Sequence, residues 1–159
     1  MWYGLFAKQA FRNEYAMTRT GTPLVALLVE DEAMLALVMD DLLLAEGFDT
    51  IMVASEEDAR AQVAKELAVA VVDLSLAGDI AGQRIISFLR SCRPNLPVVV
   101  VTGYSCDAEQ ADLRGLGGPT IRLHKPNHID QLAAAVWNVL DPVYLVEQLA
   151  HRERQEDQT

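Results

Sequence analysis

Short apolar segments alternate with longer amphipathic segments along most of the chain. Five short segments, rich in aliphatic and β-branched residues, predict buried strands: Leu24–Val29, Thr50–Val53, Val69–Val72, Leu96–Val101 and Thr120–Leu123. The longer segments predict helices over Met34–Ala45, Glu56–Leu67, Gly82–Ser91, Asp107–Arg114 and Asn127–Leu140, of which the fourth has the weakest pattern. Ser55 stands in the N-cap position of the second helix.

This alternation predicts an α/β fold. Strands that are apolar on both faces belong to a parallel sheet covered by helices on both sides, and the strand–helix order favours one doubly wound five-stranded sheet. We expect residues 1–22 to form an N-terminal extension, residues 23–140 the domain, and residues 141–159 a helix over Val143–Arg152 with a polar tail. In such sheets functional groups gather at the carboxyl ends of the strands.

Composition and charge argue against several classes of function. The chain has 159 residues and a formal net charge of −10, which disfavours binding to DNA or to an anionic membrane surface. No stretch reaches the roughly 18 apolar residues of a membrane span, and Lys8 and Arg12 interrupt the N-terminal segment where a secretory signal would be apolar. Cys92 and Cys106 form no zinc motif and fit a reducing compartment, so we expect a cytoplasmic protein.

Charged and hydroxyl side chains follow four of the predicted strands, at the point where each strand ends: Glu30, Asp31 and Glu32, then Asp73, then Thr102, then Lys125. On a parallel sheet these residues share one edge, where the carboxylates would repel each other unless a cation joins them. Oxygen ligands of this kind suit Mg²⁺. A lysine and a hydroxyl beside them supply what a phosphoryl oxygen needs, so the pattern predicts phosphoryl transfer to the carboxylate of Asp73.

At these residues the sequence resembles the receiver domain of bacterial two-component response regulators, the CheY-like domain. The resemblance runs from about Leu24 to Leu140 and is carried by four motifs: VEDE (Val29–Glu32), VVDLSL (Val71–Leu76), VVVTGY (Val99–Tyr104) and HKP (His124–Pro126). It implies the flavodoxin-like (βα)5 fold, with Asp73 as phosphoacceptor. It also implies that Mg²⁺ is bound by Glu30, Asp31, Asp73 and the backbone carbonyl of Ser75.

The resemblance also implies roles for the groups around the phosphoryl site. Thr102 would donate a hydrogen bond to the phosphoryl group, Lys125 would pair with it, and the Lys125–Pro126 peptide bond would be cis. The protein would be a phosphoacceptor in signalling rather than an enzyme with a separate substrate, catalysing only its own phosphorylation and dephosphorylation. Its phosphoryl donor would be a sensor histidine kinase or a phosphotransfer protein.

The VVVTGY motif resembles that of a mostly single-domain receiver subfamily of alphaproteobacteria. The absence of an aromatic residue three positions before Lys125 is a second point of similarity. That subfamily has a Thr-Gly pair in an aromatic-containing motif and is often associated with HWE-type kinases, although this chain lacks the Phe before the pair. The short remainder after Leu140 leaves no room for a DNA-binding domain. We therefore expect a single-domain regulator that acts by protein contact or phosphorelay, and its last helix could pack on the domain or form a homodimer.

Two further features depart from the family pattern, one residue and one glycine-rich stretch. Arg122 stands three residues before the lysine, where many receivers carry the Tyr or Phe that swings inward on activation. Gly115, Gly117 and Gly118 follow the weak fourth helix. Because glycine loses the most backbone entropy on ordering, we expect this face to be mobile.

The first predicted helix has more apolar residues than one buried face requires. A core-facing stripe would contain Leu35, Val38, Met39 and Leu42. Met34, Leu37 and Leu44 are left over and expected to be partly exposed. In receivers this helix docks the kinase, so Met34 and Leu37 are candidate partner contacts, against the alternative that they are scattered surface residues.

Three other functions compete with phosphoacceptor signalling. A receiver-like module that binds a partner without phosphorylation predicts a broken acidic cluster or a missing lysine, and this sequence shows neither. The alternative remains because Arg122 replaces the aromatic residue of the switch. An aspartate-nucleophile phosphatase usually carries a second aspartate where this chain has Ser75. A nucleotide-binding domain would need a glycine-rich loop after the first strand, where Glu30 and Asp31 stand instead.

Overall fold

The computed structural model describes residues 22–141, in which five parallel strands form one sheet. The strands are β1 (Val25–Val29), β2 (Asp49–Val53), β3 (Val69–Asp73), β4 (Val98–Thr102) and β5 (Thr120–His124). Their order across the sheet is β2-β1-β3-β4-β5. The predicted doubly wound parallel sheet is therefore confirmed, with strand bounds that differ from the expected ones by one or two residues.

In this described part of the chain, four α-helices cover the sheet: α1 (Ala33–Ala45), α2 (Glu56–Ala61), α3 (Ala81–Cys92) and α4 (His128–Leu140). Alternate residues of the central strands enter two separate cores. Ala26 and Leu28 pack with α1 and α4, whereas Leu27 and Val29 pack with α2 and α3. The three central strands are thus apolar on both faces, as the near-continuous aliphatic runs predict.

The helix ends agree with the sequence in some places and not in others. Ser55 accepts a hydrogen bond from the Asp58 N–H at 3.1 Å and is the expected N-cap of α2. This helix ends at Ala61, six residues earlier than predicted, in a series of turns. On α1, Met34, Leu37 and Leu44 are exposed as expected, but Val38 is 44% exposed and does not belong to the buried stripe.

The prediction of a helix over Asp107–Arg114 is wrong. The segment between β4 and β5, called here the β4–β5 connection (residues 103–119), contains only a single 3₁₀ turn, Glu109–Ala111. Few apolar residues are available to bury a helical face there, and glycines with positive φ follow at Gly115, Gly117 and Gly118.

Side chains from neighbouring elements hold this connection in place of helix packing. The buried guanidinium of Arg90, on α3, donates to the carbonyls of Leu96, Leu116, Gly117 and Pro119 and to the hydroxyl of Thr120. Gln83, two helical turns earlier on α3, donates to the carbonyl of Gln110. The glycine-rich stretch expected to be mobile is therefore tied to α3 by hydrogen bonds, and its mobility remains an untested prediction.

The helix expected over Val143–Arg152 and the N-terminal extension lie outside the described residues. Within residues 22–141, no helix combines the length and the apolar character needed to cross a bilayer.

Candidate functional site

The carboxyl ends of the parallel strands bring the predicted site residues to one edge of the sheet. Asp73 is the last residue of β3, and Glu30 directly follows β1, which pairs with β3. Lys125 directly follows β5, and its backbone N–H donates to the Thr102 carbonyl at the end of β4, at 2.9 Å. Local sequence places each residue at a strand end, and the register of the sheet then brings these ends together.

Three carboxylates converge at this edge. Glu30, Asp31 and Asp73 each offer an oxygen, and these oxygens lie within 4.8 Å of one another. Glu30 and Asp73 are each 3% exposed, whereas Asp31 is exposed. Burial, together with the charge of Asp73, raises the pKa of Glu30 to about 7, although the Glu32 N–H hydrogen bond opposes the shift.

The donor set fits a hard divalent cation. Glu30 Oε1 accepts from the Glu32 N–H at 2.9 Å, but the buried Oε2 atom has no hydrogen-bond partner among the residues described. A buried carboxylate oxygen without a donor is costly unless a cation or water serves it. Glu30, Asp31 and Asp73 are therefore the residues that would hold Mg²⁺.

Lys125 is the cation that the structure itself places at the site. Its Nζ lies 2.8 Å from Asp73 Oδ2 and 3.9 Å from Glu30 Oε2. Partial burial works against the ammonium charge, but the hydrogen bond and charge of Asp73 outweigh burial, so the pKa of Lys125 is raised. Lys125 is thus positively charged at neutral pH, and the Lys125–Pro126 bond is cis, as expected.

Thr102 lies beside this group, fully buried at the end of β4. It follows Val101, which is paired in the ladder with Asp73. Its hydroxyl oxygen accepts a hydrogen bond from the Tyr104 N–H at 3.0 Å. The hydroxyl proton is left over from this bond, so Thr102 can still act as a donor.

Ser75 contacts the carboxylate of Asp73 through both its backbone and its side chain. Both its N–H and its hydroxyl donate to Asp73 Oδ1, at 2.9 and 2.8 Å. Its carbonyl, expected to bind Mg²⁺, accepts from the Gly78 N–H at 2.9 Å. The sequence identified Ser75 but gave no sign of the hydroxyl contact, because side-chain rotamers are not visible in a motif.

Gly82 is a positioning residue that the sequence reasoning missed. A Cβ atom at this position of α3 would lie 2.7 Å from Leu74 Cα and 2.9 Å from the Asp73 carbonyl oxygen. Only glycine lets α3 approach the strand end that carries Asp73. A glycine at the first position of the predicted helix Gly82–Ser91 is the sequence signal that could have identified it.

Arg122, at the position where many receivers carry an aromatic ring, projects from β5 to the β4–β5 connection. Its guanidinium donates to the carbonyl of Ala111 in the 3₁₀ turn and lines a groove of about 540 Å³ beside that turn. The side chain therefore holds the connection, a contact that a phenol or phenyl ring could not make in the same way.

Comparison with known proteins agrees with this geometry. The sequence model of a family described as the response regulator receiver domain matches residues 26–137. A comparison with curated proteins gives no match.

Three solved structures illustrate the likeness in fold. A response regulator receiver protein from Sinorhizobium medicae WSM419 is 25% identical, with a TM-score of 0.65 over 75% of this chain and 95% of its own. A CheY-like receiver domain protein from Methanospirillum hungatei JF-1 is 21% identical, with a TM-score of 0.65 over 80% and 98% of the two chains. A Burkholderia pseudomallei response regulator, whose structure contains a phosphorylated aspartic acid, a calcium ion and citrate, is 24% identical, with a TM-score of 0.62 over 84% and 74%.

Proposed function

Because this chain belongs to the response regulator receiver domain family, we propose that it accepts a phosphoryl group on the Asp73 carboxylate. The observation that carries the proposal is the convergence of three carboxylates with Lys125, whose Nζ lies 2.8 Å from Asp73 Oδ2. An aspartate with a lysine and two further carboxylates at one sheet edge has the groups that phosphoryl transfer requires.

Each residue has a defined task in the proposed reaction. An oxygen of Asp73 forms the new P–O bond while the P–N bond of a phosphohistidine donor breaks. Lys125 neutralises charge on the phosphoryl oxygens, and the hydroxyl of Thr102 donates a hydrogen bond to one of them. When bound at Glu30, Asp31 and Asp73, with the Ser75 carbonyl as a further ligand, Mg²⁺ would stabilise the negative charge that develops on these oxygens.

The proposed partner is a sensor histidine kinase or a phosphotransfer protein, with an HWE-type kinase as the more specific choice. The protein would then signal by protein contact or by passing the phosphoryl group on. The phosphorylated aspartic acid and calcium ion of the Burkholderia pseudomallei protein support the same chemistry by analogy. We place the exchange in the cytoplasm, because Cys92 and Cys106 are free thiols on the surface and fit a reducing compartment.

The test is incubation with a small phosphodonor and Mg²⁺, followed by intact mass measurement of the wild type and Asp73→Asn. We expect the wild type to gain one phosphoryl group in a Mg²⁺-dependent manner and the variant to gain none. Asn keeps the size of the side chain but lacks the carboxylate that attacks phosphorus.

Absence of any gain, with both a small donor and the cognate kinase, would contradict the proposal. That result would favour a receiver-like module that only binds a partner. One observation favours this second function. Arg122 stands where many receivers carry the aromatic residue of the switch, and its side chain donates instead to the Ala111 carbonyl.

A further inference from the structure

Residues 75–78 are called here the 75–78 cap. Their backbone N–H groups and the Ser75 hydroxyl donate hydrogen bonds to groups that are proposed ligands of Mg²⁺. Ser75 donates twice to Asp73 Oδ1, at 2.9 and 2.8 Å. The Ala77 N–H donates to Asp31 Oδ2 at 3.2 Å, and the Gly78 N–H donates to the Ser75 carbonyl at 2.9 Å. Three of the four assigned ligand groups, Asp31, Asp73 and the Ser75 carbonyl, therefore accept a hydrogen bond from the 75–78 cap.

The two carboxylate oxygens of Asp73 have different neighbours that oppose cation binding. Asp73 Oδ2 lies 2.8 Å from the ammonium of Lys125, and a dication at that oxygen would be repelled by the like charge. Asp73 Oδ1 is the remaining choice, but its two lone pairs face the two donors of Ser75. The backbone N–H is fixed by the chain, whereas the hydroxyl can rotate away about χ1.

The backbone of the 75–78 cap is in a conformation that alanine rarely adopts. Ala77 has φ 55°, in the left-handed region, and Gly78 follows with φ 68°. Alanine is disfavoured there because Cβ approaches the carbonyl oxygen. Ala77 and Gly78 are exposed and are restrained by the hydrogen bonds to Asp31 and Ser75, whereas the neighbouring Leu76 is buried in the core and anchors the cap beside them.

We propose that the 75–78 cap competes with Mg²⁺ for the carboxylates of Asp73 and Asp31, and that it opens when the cation is ligated. This inference rests on the proposed function, because it concerns the metal site of the same reaction. Asp73 is 3% exposed, and donors cover both its oxygens, so a cation can reach Oδ1 only if the Ser75 hydroxyl moves. Cap opening would couple cation binding to access of the phosphoryl donor.

The test is the Mg²⁺ dissociation constant of the full chain, measured by calorimetric titration without any phosphodonor. Ser75→Ala removes the competing hydroxyl, and we expect it to bind Mg²⁺ roughly tenfold more tightly, which is the effect of losing one hydrogen bond to a charged group. Ser75→Thr keeps a hydroxyl on the same carbon, and we expect it to return the affinity towards the wild-type value. Circular dichroism establishes that both variants are folded.

A second measurement needs no variant. In a Mg²⁺ titration followed by amide NMR, the resonances of Ala77 and Gly78 should move with the same midpoint as the calorimetric binding. Gly115, in the β4–β5 connection, serves as the reference resonance and should not move. If the amide resonances of Ala77 and Gly78 did not shift on addition of Mg²⁺, the proposed opening would be wrong.

The possible failures are distinct from each other. If Ser75→Ala bound Mg²⁺ with the wild-type affinity or more weakly, competition by the cap would be refuted while the metal site and phosphorylation of Asp73 could still hold. If no variant bound Mg²⁺ at all, both this inference and the metal requirement of the proposed function would be wrong.

Discussion

At the scale of single residues, hydrogen bonds at Asp73 and Thr102 and a close backbone contact at Gly82 define the site. Asp73 accepts from Lys125 on one oxygen and from Ser75 on the other. Thr102 keeps its proton for a further acceptor because its oxygen already accepts from the Tyr104 N–H. Gly82 has no functional group, yet it decides how closely α3 approaches the Asp73 strand.

Gly82→Ala tests this close approach. The new Cβ would meet the backbone of Asp73 and Leu74 at less than 3.0 Å, so α3 must shift. We expect a loss of about 1–3 kcal/mol in the free energy of unfolding, the usual cost of overpacking a tight contact. Phosphorylation by a small donor should also slow, because the strand end that carries Asp73 moves. Urea unfolding and intact mass time courses measure the two effects.

The matched control is Gly103→Ala, in which the added Cβ would meet no atom within 4 Å. Its unfolding free energy should change far less. Equal stability of the two variants would show that α3 tolerates the extra carbon and that Gly82 does not set the position of this helix.

At the scale of elements, α1 has an unusual outer face. Met34 is 71% exposed, Leu37 50%, Val38 44% and Leu44 49%, so apolar side chains run along the solvent side of the helix. This stripe begins directly after Glu30, Asp31 and Glu32, next to the site. An exposed apolar stripe beside the proposed phosphoryl site favours contact with a partner helix.

Leu37→Lys tests whether α1 docks the phosphoryl donor. A charge at the centre of an apolar contact should slow transfer from the cognate kinase roughly tenfold, in line with a cost above 1 kcal/mol for interface residues. Phosphorylation by a small phosphodonor should stay unchanged, since the chemistry at Asp73 is not altered. Both rates are measured by mass spectrometry on the same preparation.

Leu44→Lys is the control for this helix, since it adds the same charge about two turns further from the site, roughly 10 Å along the axis. It should leave the kinase reaction much less affected. A normal transfer rate for Leu37→Lys would rule out docking on this part of α1.

At the scale of the whole molecule, the fold accommodates a β4–β5 connection without an α-helix. Gln83 and Arg90 on α3 and Arg122 on β5 donate to backbone carbonyls of the connection. These side chains supply donors to carbonyls that would accept helical hydrogen bonds if the connection were an α-helix. Leu113 and Leu116 of the connection pack against the core on the α2 and α3 side.

Arg90→Ala tests how far global stability depends on these contacts. The substitution leaves five acceptors without their guanidinium donor, and we expect a loss of about 3 kcal/mol in the free energy of unfolding. Arg93→Ala, near the same end of α3, removes only the bond to the Leu67 carbonyl that the structure shows, and should cost about 1 kcal/mol. Urea unfolding of both variants measures the difference. A similar loss in the two variants would contradict a special role for Arg90.

Much of the fold was determined by sequence alone. Aliphatic runs such as Val98–Val101 specify strands buried on both faces, and their alternation with amphipathic segments specifies a parallel sheet. The site followed from the same information, because parallel strands bring their carboxyl ends to one edge wherever the chain order is strand–helix–strand. Asp73, Glu30 and Lys125 therefore met as predicted.

Only the tertiary structure decided the rest. The sequence could not show that Asp107–Arg114 lacks a helix, because the conformation of the connection depends on donors such as Arg90 that are distant in sequence. Nor could it show the exposure of Val38, which depends on how α1 is rotated against the sheet. Local pattern fixes where a strand ends and which residue stands there. Long-range packing and the register of the sheet decide which residues from other strands, such as Lys125, contact Asp73.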